Sequence, residues 1–395
     1  MQWSKLRARL LSSTGRVSES NFAEMTRRAE ASISENDTRE TKKRVLLVSS
    51  NGAGLGHLTR LAAISRFLNA QSLIYTLSSA YHVLGKSSKE IIYFPSYGDI
   101  GLDGATWNPL LKAHFGAVVK GFQPNLIIFD GTYVYRGVTE VARQIGIPLV
   151  WLQRGCWRED VLERSAQRLN PEDYVDHIVV PRDHGCLEDE GQKQGALSPG
   201  YINPVTLLGR KEIFQRQEAR AALGLPSDKR LFLIQLGAGV LNDINQIKSL
   251  AIDAVRENGA DWEPVLVANP LKKDFELLNK NFLTVSAYPL LRYLKAFDAA
   301  VLAAGYNSIQ ESVVAELPAI FVPNTKTKTD DQLRRAQGMS NLGLGITATN
   351  SEQIQAGIRR LESAELRTQF QEKLRLAGLP NGAEEIETAL GKYQS

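Results

Sequence analysis

Apolar positions along this chain fall into short unbroken runs, separated by stretches in which they recur every three or four residues. Val45-Leu46-Leu47-Val48 is the first run, followed by Leu73–Leu77, Ile91–Phe94, Leu126–Phe129, Pro148–Leu152 and His177–Val180. Runs of this length between turn residues predict strands buried on both faces, as in parallel sheets. Leu61, Ile64 and Leu68 share one face of a helix predicted from Leu58 to Leu68. Strands alternating with helices predict an α/β fold with a doubly wound parallel sheet. Proline and glycine cluster at Pro199-Gly200-Tyr201-Ile202-Asn203-Pro204, which predicts a linker. The pattern then starts again, with strands at Leu231–Leu236, Phe282–Val285, Ala299–Leu302 and Ala319–Val322 and a helix from Ile244 to Val255. After Gly343-Leu344-Gly345-Ile346 the chain reads as helical. The division predicted is a polar extension over residues 1–43, a first domain over 44–204 and a second over 205–395.

Composition narrows the function classes. The 395 residues are 43% hydrophobic and 23% charged, the profile of an ordinary globular enzyme. A net charge of +4, from 47 basic and 43 acidic residues, is too mild to argue for nucleic acid. No apolar run approaches the roughly 18 residues that a membrane span needs. The N-terminus lacks the apolar core of a signal peptide. Two cysteines, Cys156 and Cys186, have no Cys-x-x-Cys spacing, so reduced thiols in a cytoplasm are expected. Residues 1–43 carry nine Lys/Arg, six Asp/Glu and seven serines. Within them Trp3, Leu6 and Leu10 share a helical face, with Lys5, Arg7 and Arg9 elsewhere on the turn. That segment reads either as a solvated tail or as a contact with an anionic membrane surface.

The chemistry lies in the glycine turns that follow the strands. After Val48 come Gly52, Gly54 and Gly56, spaced Gly-x-Gly-x-Gly, and the next strand ends in Ser78-Ser79 without an acid to hold a ribose. Both features argue against a nicotinamide or flavin site. His57 then opens a helix, where the dipole disfavours imidazolium and leaves a neutral ring able to take a proton; a structural cap is the alternative. Asp130-Gly131 and Gln153-Arg154-Gly155 end two strands, and such ends face the ligand crevice. Asp130 is the second candidate base or acceptor contact, with Asp99 and Asp103 in a glycine-rich loop behind it. Arg154 and Arg158 read as contacts for an anionic acceptor or as solvated surface. In the second half, Gly237 and Gly239 follow a strand, as the first glycines do. Ala303-Ala304-Gly305-Tyr306-Asn307-Ser308 forms a tight turn into another helix, with Asn307 and Ser308 at the expected N-cap. Free N–H groups at such a start suit a phosphate. Glu311 fits a capping box with Ser308, or could accept hydrogen bonds from a ribose diol. Asn324 ends the next strand, and Asp331-Gln332 opens the helix beyond it. No Asp-x-Asp, Gly-x-Ser-x-Gly or His-Glu-x-x-His occurs, and Gly85-Lys86-Ser87 has Ala80 where a P-loop needs glycine.

Taken in series, strand, Gly-x-Asn-Ser, Glu311, Pro318-x-x-Phe321-x-Pro323-Asn324 and Asp331-Gln332 resemble the donor half of GT-B glycosyltransferases. The likeness is to the lipid-intermediate N-acetylglucosaminyltransferases of peptidoglycan synthesis. It implies two Rossmann-like domains facing a cleft and a UDP-sugar donor, with no further cofactor and no metal. It assigns Gly305, Asn307 and Ser308 to the diphosphate, Glu311 to the ribose, and Asp331 with Gln332 to sugar hydroxyls. Gly54, Gly56, Gly237 and Gly239 line the cleft near the phosphates, and the Tyr288 backbone meets the uracil edge. His57, or failing it Asp130, would deprotonate a glycan, lipid-linked or small-molecule acceptor at the inner face of a membrane. Gly54-Leu55-Gly56-His57-Leu58-Thr59-Arg60 also resembles the Gly-His-x-x-Arg loop of UDP-sugar hydrolases, in which water would replace the acceptor. A non-catalytic nucleotide-sugar-binding subunit is the third reading.

Overall fold

A computed structural model describes residues 43–50, 55–87, 90–187, 195–237, 244–259, 261–268 and 282–394. The N-terminal segment with Trp3, Leu6 and Leu10 lies outside the described residues, as do Gly54 and Gly239.

The first sheet is formed by β1 (Arg44–Ser49), β2 (Gln71–Thr76), β3 (Ile91–Tyr93), β4 (Leu126–Asp130), β5 (Leu149–Leu152), β6 (His177–Pro181) and β7 (Gly200–Ile202). All its ladders are parallel, in the order β3-β2-β1-β4-β5-β6-β7. Helices α1 (Gly56–Phe67), α2 (Gly104–Phe122) and α3 (Arg136–Ile145) cover its faces. Parallel strands between helices must be apolar on both sides, and every residue of β4 and β5 is buried.

The second half repeats the plan. Here α4 (Arg216–Leu223) leads into β8 (Arg230–Gln235), α5 (Ile244–Glu257), β9 (Trp262–Val267), β10 (Leu283–Val285), β11 (Ala299–Ala303), α6 (Tyr306–Ala315), β12 (Ala319–Val322), α7 (Gln332–Asn341) and β13 (Ile346–Thr347). The strand order is β10-β9-β8-β11-β12-β13, again parallel. Helices α8 (Ser351–Arg360), α9 (Ala364–Ala377) and α10 (Ile386–Leu390) complete the chain. Two doubly wound α/β domains result. In each, strand order reverses beside the first strand, between β1 and β4 and between β8 and β11, which is where ligand crevices open in such sheets.

Three expectations need correction. The linker expected around 199–204 contains β7, because Tyr201 and its neighbours pair with Val179–Pro181 and close the first sheet. Strands β9 and β13 had not been expected from the pattern. Trp262–Val267 is interrupted by Glu263 and Pro264, and Ile346–Thr347 is only two residues long. Finally, Cys156 and Cys186 are not separate thiols but form a disulfide, with Cα atoms 6.0 Å apart. Neighbouring strands β5 and β6 deliver the loops that carry them to the same place.

The end of the chain returns across the molecule. Ala383, Ile386 and Leu390 pack with Leu58, Leu61 and Ile202 in the core beneath α1. Glu385 accepts hydrogen bonds from the Asn203 N–H at 2.8 Å and its side-chain amide at 2.5 Å. Gly382 is required there, since a Cβ would lie 1.8 Å from the Asn203 carbonyl oxygen. Among the described residues no helix is long and apolar enough to cross a membrane.

Candidate active site

The β1 and β4 ends lie in register, with Ser49 opposite Asp130. His57 is the second residue of α1, and its Nδ1 is 2.7 Å from Asp130 Oδ1. Arg60, one turn further along, grips the same carboxylate with Nε to Oδ2 at 2.9 Å and Nη2 to Oδ1 at 2.6 Å. Asp130 is fully buried. Burial works against its charge, but Arg60 and then His57 hold the carboxyl below its ordinary range. An ionised Asp130 at this distance requires the proton on His57 Nδ1. The Nε2 lone pair is therefore open, and it has no partner among the described residues. Burial lowers the proton affinity of His57, Asp130 raises it, and Arg60 and Arg154 lower it again, for a net decrease. The ring remains 14% exposed, enough to meet a ligand.

Beside Arg60 stands the start of α6. Its N-cap is Gly305, with no side-chain cap, so the expectation of a cap at Asn307 or Ser308 is corrected. They are the second and third helical residues, and both are partly exposed. The capping box is therefore absent, because Glu311 is too deep in the helix to reach back. With no side chain occupying them, the first N–H groups of α6 are open to an anion. A Cβ on Gly305 would meet nothing within 4 Å, so the space before the helix is clear. Glu311 has no hydrogen-bond partner among the described residues, and burial pushes its carboxyl up to about 7.

Tyr306, the first residue of α6, ties the two halves together. The Arg60 guanidinium stacks over its ring at 4.9 Å. Its hydroxyl accepts from Val205 N–H at 2.9 Å and donates to the Arg182 carbonyl at 3.1 Å. Nearby, Tyr288 Oη lies 3.1 Å from Thr59 Oγ1. Gly237 turns out of β8 at φ 73°, a conformation glycine adopts freely.

The loop after β12 is organised by its own side chains. Asp331 caps α7 by accepting from Arg334 N–H at 3.0 Å. Gln332 accepts from Asn324 N–H at 3.0 Å and donates to Asp330 at 3.2 Å. Asn324 in turn accepts from Lys326 N–H. Of the other sequence candidates, Asp103 caps α2, Asp99 folds back on Ser96, and Arg158 pairs with Asp160 on the surface. Arg154 points toward Asp330, with Nη2 at 3.6 Å.

Sequence reasoning missed a buried network across the domain junction. Arg335 bonds Asp183 and Asp330, Gln310 donates to Asp183 at 2.9 Å, and His184 donates to Gln310 Oε1 at 2.6 Å. The available signal was Asp183 two residues after the end of an apolar strand. Among the described residues no group of three or more His, Cys, Asp or Glu side chains is placed to hold a metal ion.

Comparison with known proteins agrees with the two-domain fold. Residues 268–386 match the glycosyltransferase family 28 C-terminal domain. The chain is 27% identical over 259 residues to a UDP-N-acetylglucosamine--N-acetylmuramyl-(pentapeptide) pyrophosphoryl-undecaprenol N-acetylglucosamine transferase of Leuconostoc citreum. That alignment covers 60% of this chain and 63% of the relative's length, so it stops short of two thirds of that protein. The Bacillus licheniformis protein of the same description is 23% identical over 287 residues, covering 69% and 74%. Among solved structures, the Acinetobacter baumannii MurG superposes with a TM-score of 0.57 at 15% identity, over 89% of this chain and 99% of that one. The spinosyn rhamnosyltransferase SpnG gives 0.61 at 16%, over 87% and 99%. Two parallel-sheet domains and the likeness to these solved structures give this chain the GT-B fold, with residues 268–386 similar to the glycosyltransferase family 28 C-terminal domain.

Proposed function

We propose that this protein is a glycosyltransferase that moves a sugar from a nucleotide-sugar donor to an acceptor hydroxyl. The donor read here is a UDP-sugar such as UDP-N-acetylglucosamine, and the acceptor a glycan, a small molecule or a lipid-linked precursor. One observation carries the reading. A histidine with a free Nε2 is held by a buried carboxylate, and Arg60, which grips the same carboxylate, stacks on Tyr306 at the uncapped start of α6.

In this reading His57 Nε2 takes the proton of the acceptor hydroxyl, and the oxygen attacks the anomeric carbon of the donor sugar. The bond from that carbon to the diphosphate oxygen breaks, the diphosphate leaves with the electron pair, and the sugar inverts. Asp130 holds the ring and its Nδ1–H tautomer rather than acting as the base, since both its oxygens are engaged. N–H groups at the start of α6, with Gly305, Asn307 and Ser308, meet the charge on the leaving group, so the reading assigns no metal. Glu311 takes the ribose diol, the Tyr288 backbone the uracil, and the Asn324–Gln332 loop the sugar hydroxyls, through the free side of Asp331. Gly54, Gly56, Gly237 and Gly239 let the turns approach the phosphates. Residues 1–11 are assigned to peripheral contact with the inner face of a membrane, and deleting them should weaken liposome association without changing donor binding.

The test is a donor screen read by thermal shift, followed by turnover. UDP compounds at about a hundred times their dissociation constant should stabilise the protein by roughly 2.7 kcal/mol. GDP, dTDP and CMP should not. Release of UDP should be slow until an acceptor is added. Donor consumed at full rate by water alone would identify a hydrolase, and selective binding without turnover a non-catalytic subunit.

A further inference from the structure

Three guanidinium groups, of Arg60, Arg154 and Arg335, lie close enough to feel one another's charge near His57, and only two are neutralised by close ion pairs. Arg60 gives its fork to Asp130. Arg335 gives Nε to Asp183, Nη2 to Asp330 Oδ1 at 2.8 Å and Nη1 to the Ala304 carbonyl at 3.2 Å. Arg154 has only a long approach, 3.6 Å from Nη2 to the Asp330 Oδ1 that Arg335 already occupies. Its Nε is buried with no hydrogen bond among the described residues. Beside it, Gln153 is fully buried, and neither of its amide atoms has a partner among them.

The placement is as informative as the missing partners. Arg154 follows the end of β5 by two residues, β5 pairs with the β4 end that carries Asp130, and the charge of Arg154 is felt by His57. On its other side, Asp330 begins the Asp330-Asp331-Gln332 turn. The side chain is 16% exposed, so it is neither sealed in the core nor free in solvent. Burial pushes its guanidinium below the ordinary value, Asp330 opposes this, and Arg335 and Arg60 push it further down. A cation held in this way lowers stability until an anion completes its coordination.

We propose that Arg154 binds a diphosphate group in the cleft, with the guanidinium edge that Asp330 does not neutralise. The inference rests on the transferase reading and adds a phosphate contact on the His57 wall, opposite the start of α6. Diphosphate can come from the donor or from a pyrophosphoryl-lipid acceptor, and the arginine fork suits either.

The experiment compares wild type with Arg154→Met and Arg154→Lys by thermal shift and titration against UDP, uridine, inorganic diphosphate and a short-chain isoprenyl diphosphate. Arg154→Met should weaken binding of the relevant diphosphate compound about tenfold or more, leaving uridine binding unchanged, with Arg154→Lys between. Its ligand-free melting temperature should match or exceed that of wild type, because an uncompensated buried charge has been removed. Loss against UDP places the contact on the donor, and loss against the isoprenyl diphosphate places it on the acceptor. A lower melting temperature with every affinity unchanged would make Arg154 a structural ion-pair partner and overturn the inference. If wild type binds UDP and the Met variant binds all four probes equally well, this inference alone fails. Wild type indifferent to all four probes overturns the transferase reading with it.

Discussion

Burial moves the proton affinities of His57 and Glu311 in opposite directions. Burial lowers the pKa of His57 against the pull of Asp130, so at neutral pH its Nε2 is a free base. The rate should therefore fall on the acid side with a midpoint below the ordinary value of 6.5, measured as kcat/KM against pH. His57→Ala should lower turnover by about 10²–10⁴ while leaving donor affinity intact, and equal turnover would remove the residue from the mechanism. The same shift enters stability. The folded ring binds its proton less tightly than the unfolded one, so its contribution is complete above pH 6.5 and is lost as pH falls below that. Burial instead raises Glu311 to about 7, and the carboxyl must ionise before both its oxygens can accept from a ribose diol. UDP affinity should rise roughly tenfold between about pH 6 and pH 8, and Glu311→Gln should flatten that rise in calorimetric titration. His57, Asp130 and Glu311 were legible in the sequence because a strand end and a helix start place polar residues at a crevice. Arg335 and Asp183 were not, since they are 152 positions apart and only the fold joins them.

Among the elements, α6 gives up local stability at its first turn. Its cap is a glycine with no side-chain acceptor, while α7, α8 and α9 are all capped by Asp331, Asn350 and Ser363. Gly305→Asp should stabilise the ligand-free protein by a few tenths of a kcal/mol, because an acceptor would reach the free N–H groups and the charge complements the dipole. The same carboxylate would occupy the place given to the diphosphate, so UDP affinity should fall. A rise in both stability and affinity would show that the helix start does not face the ligand. The strand–turn–helix order of this element was read correctly from apolar spacing. Its cap was misread by two to three residues, because Asn307 and Ser308 have favourable cap chemistry while Gly305 has the required backbone geometry (φ −76°, ψ 158°).

For the whole molecule, the chain end belongs to the first domain's core. Ile386 is fully buried against residues of α1, far from it in sequence. Ile386→Ala should cost about 2–5 kcal/mol, seen as a lower denaturant midpoint, although it lies near the C-terminus. A change near zero would mean that the last helix is only loosely docked.

The sequence by itself determined the two parallel sheets, most of their strands and the strand-to-helix order around α1 and α6. Each of those depends on residues close together in the chain, through burial on both strand faces or a short glycine turn. Tertiary structure alone decided that Asp130 is clamped by Arg60, that Arg154 is left half-paired, that the cysteines meet, and that α10 closes the first domain. These depend on where strand order places distant residues, and on which buried charges find partners once they arrive there.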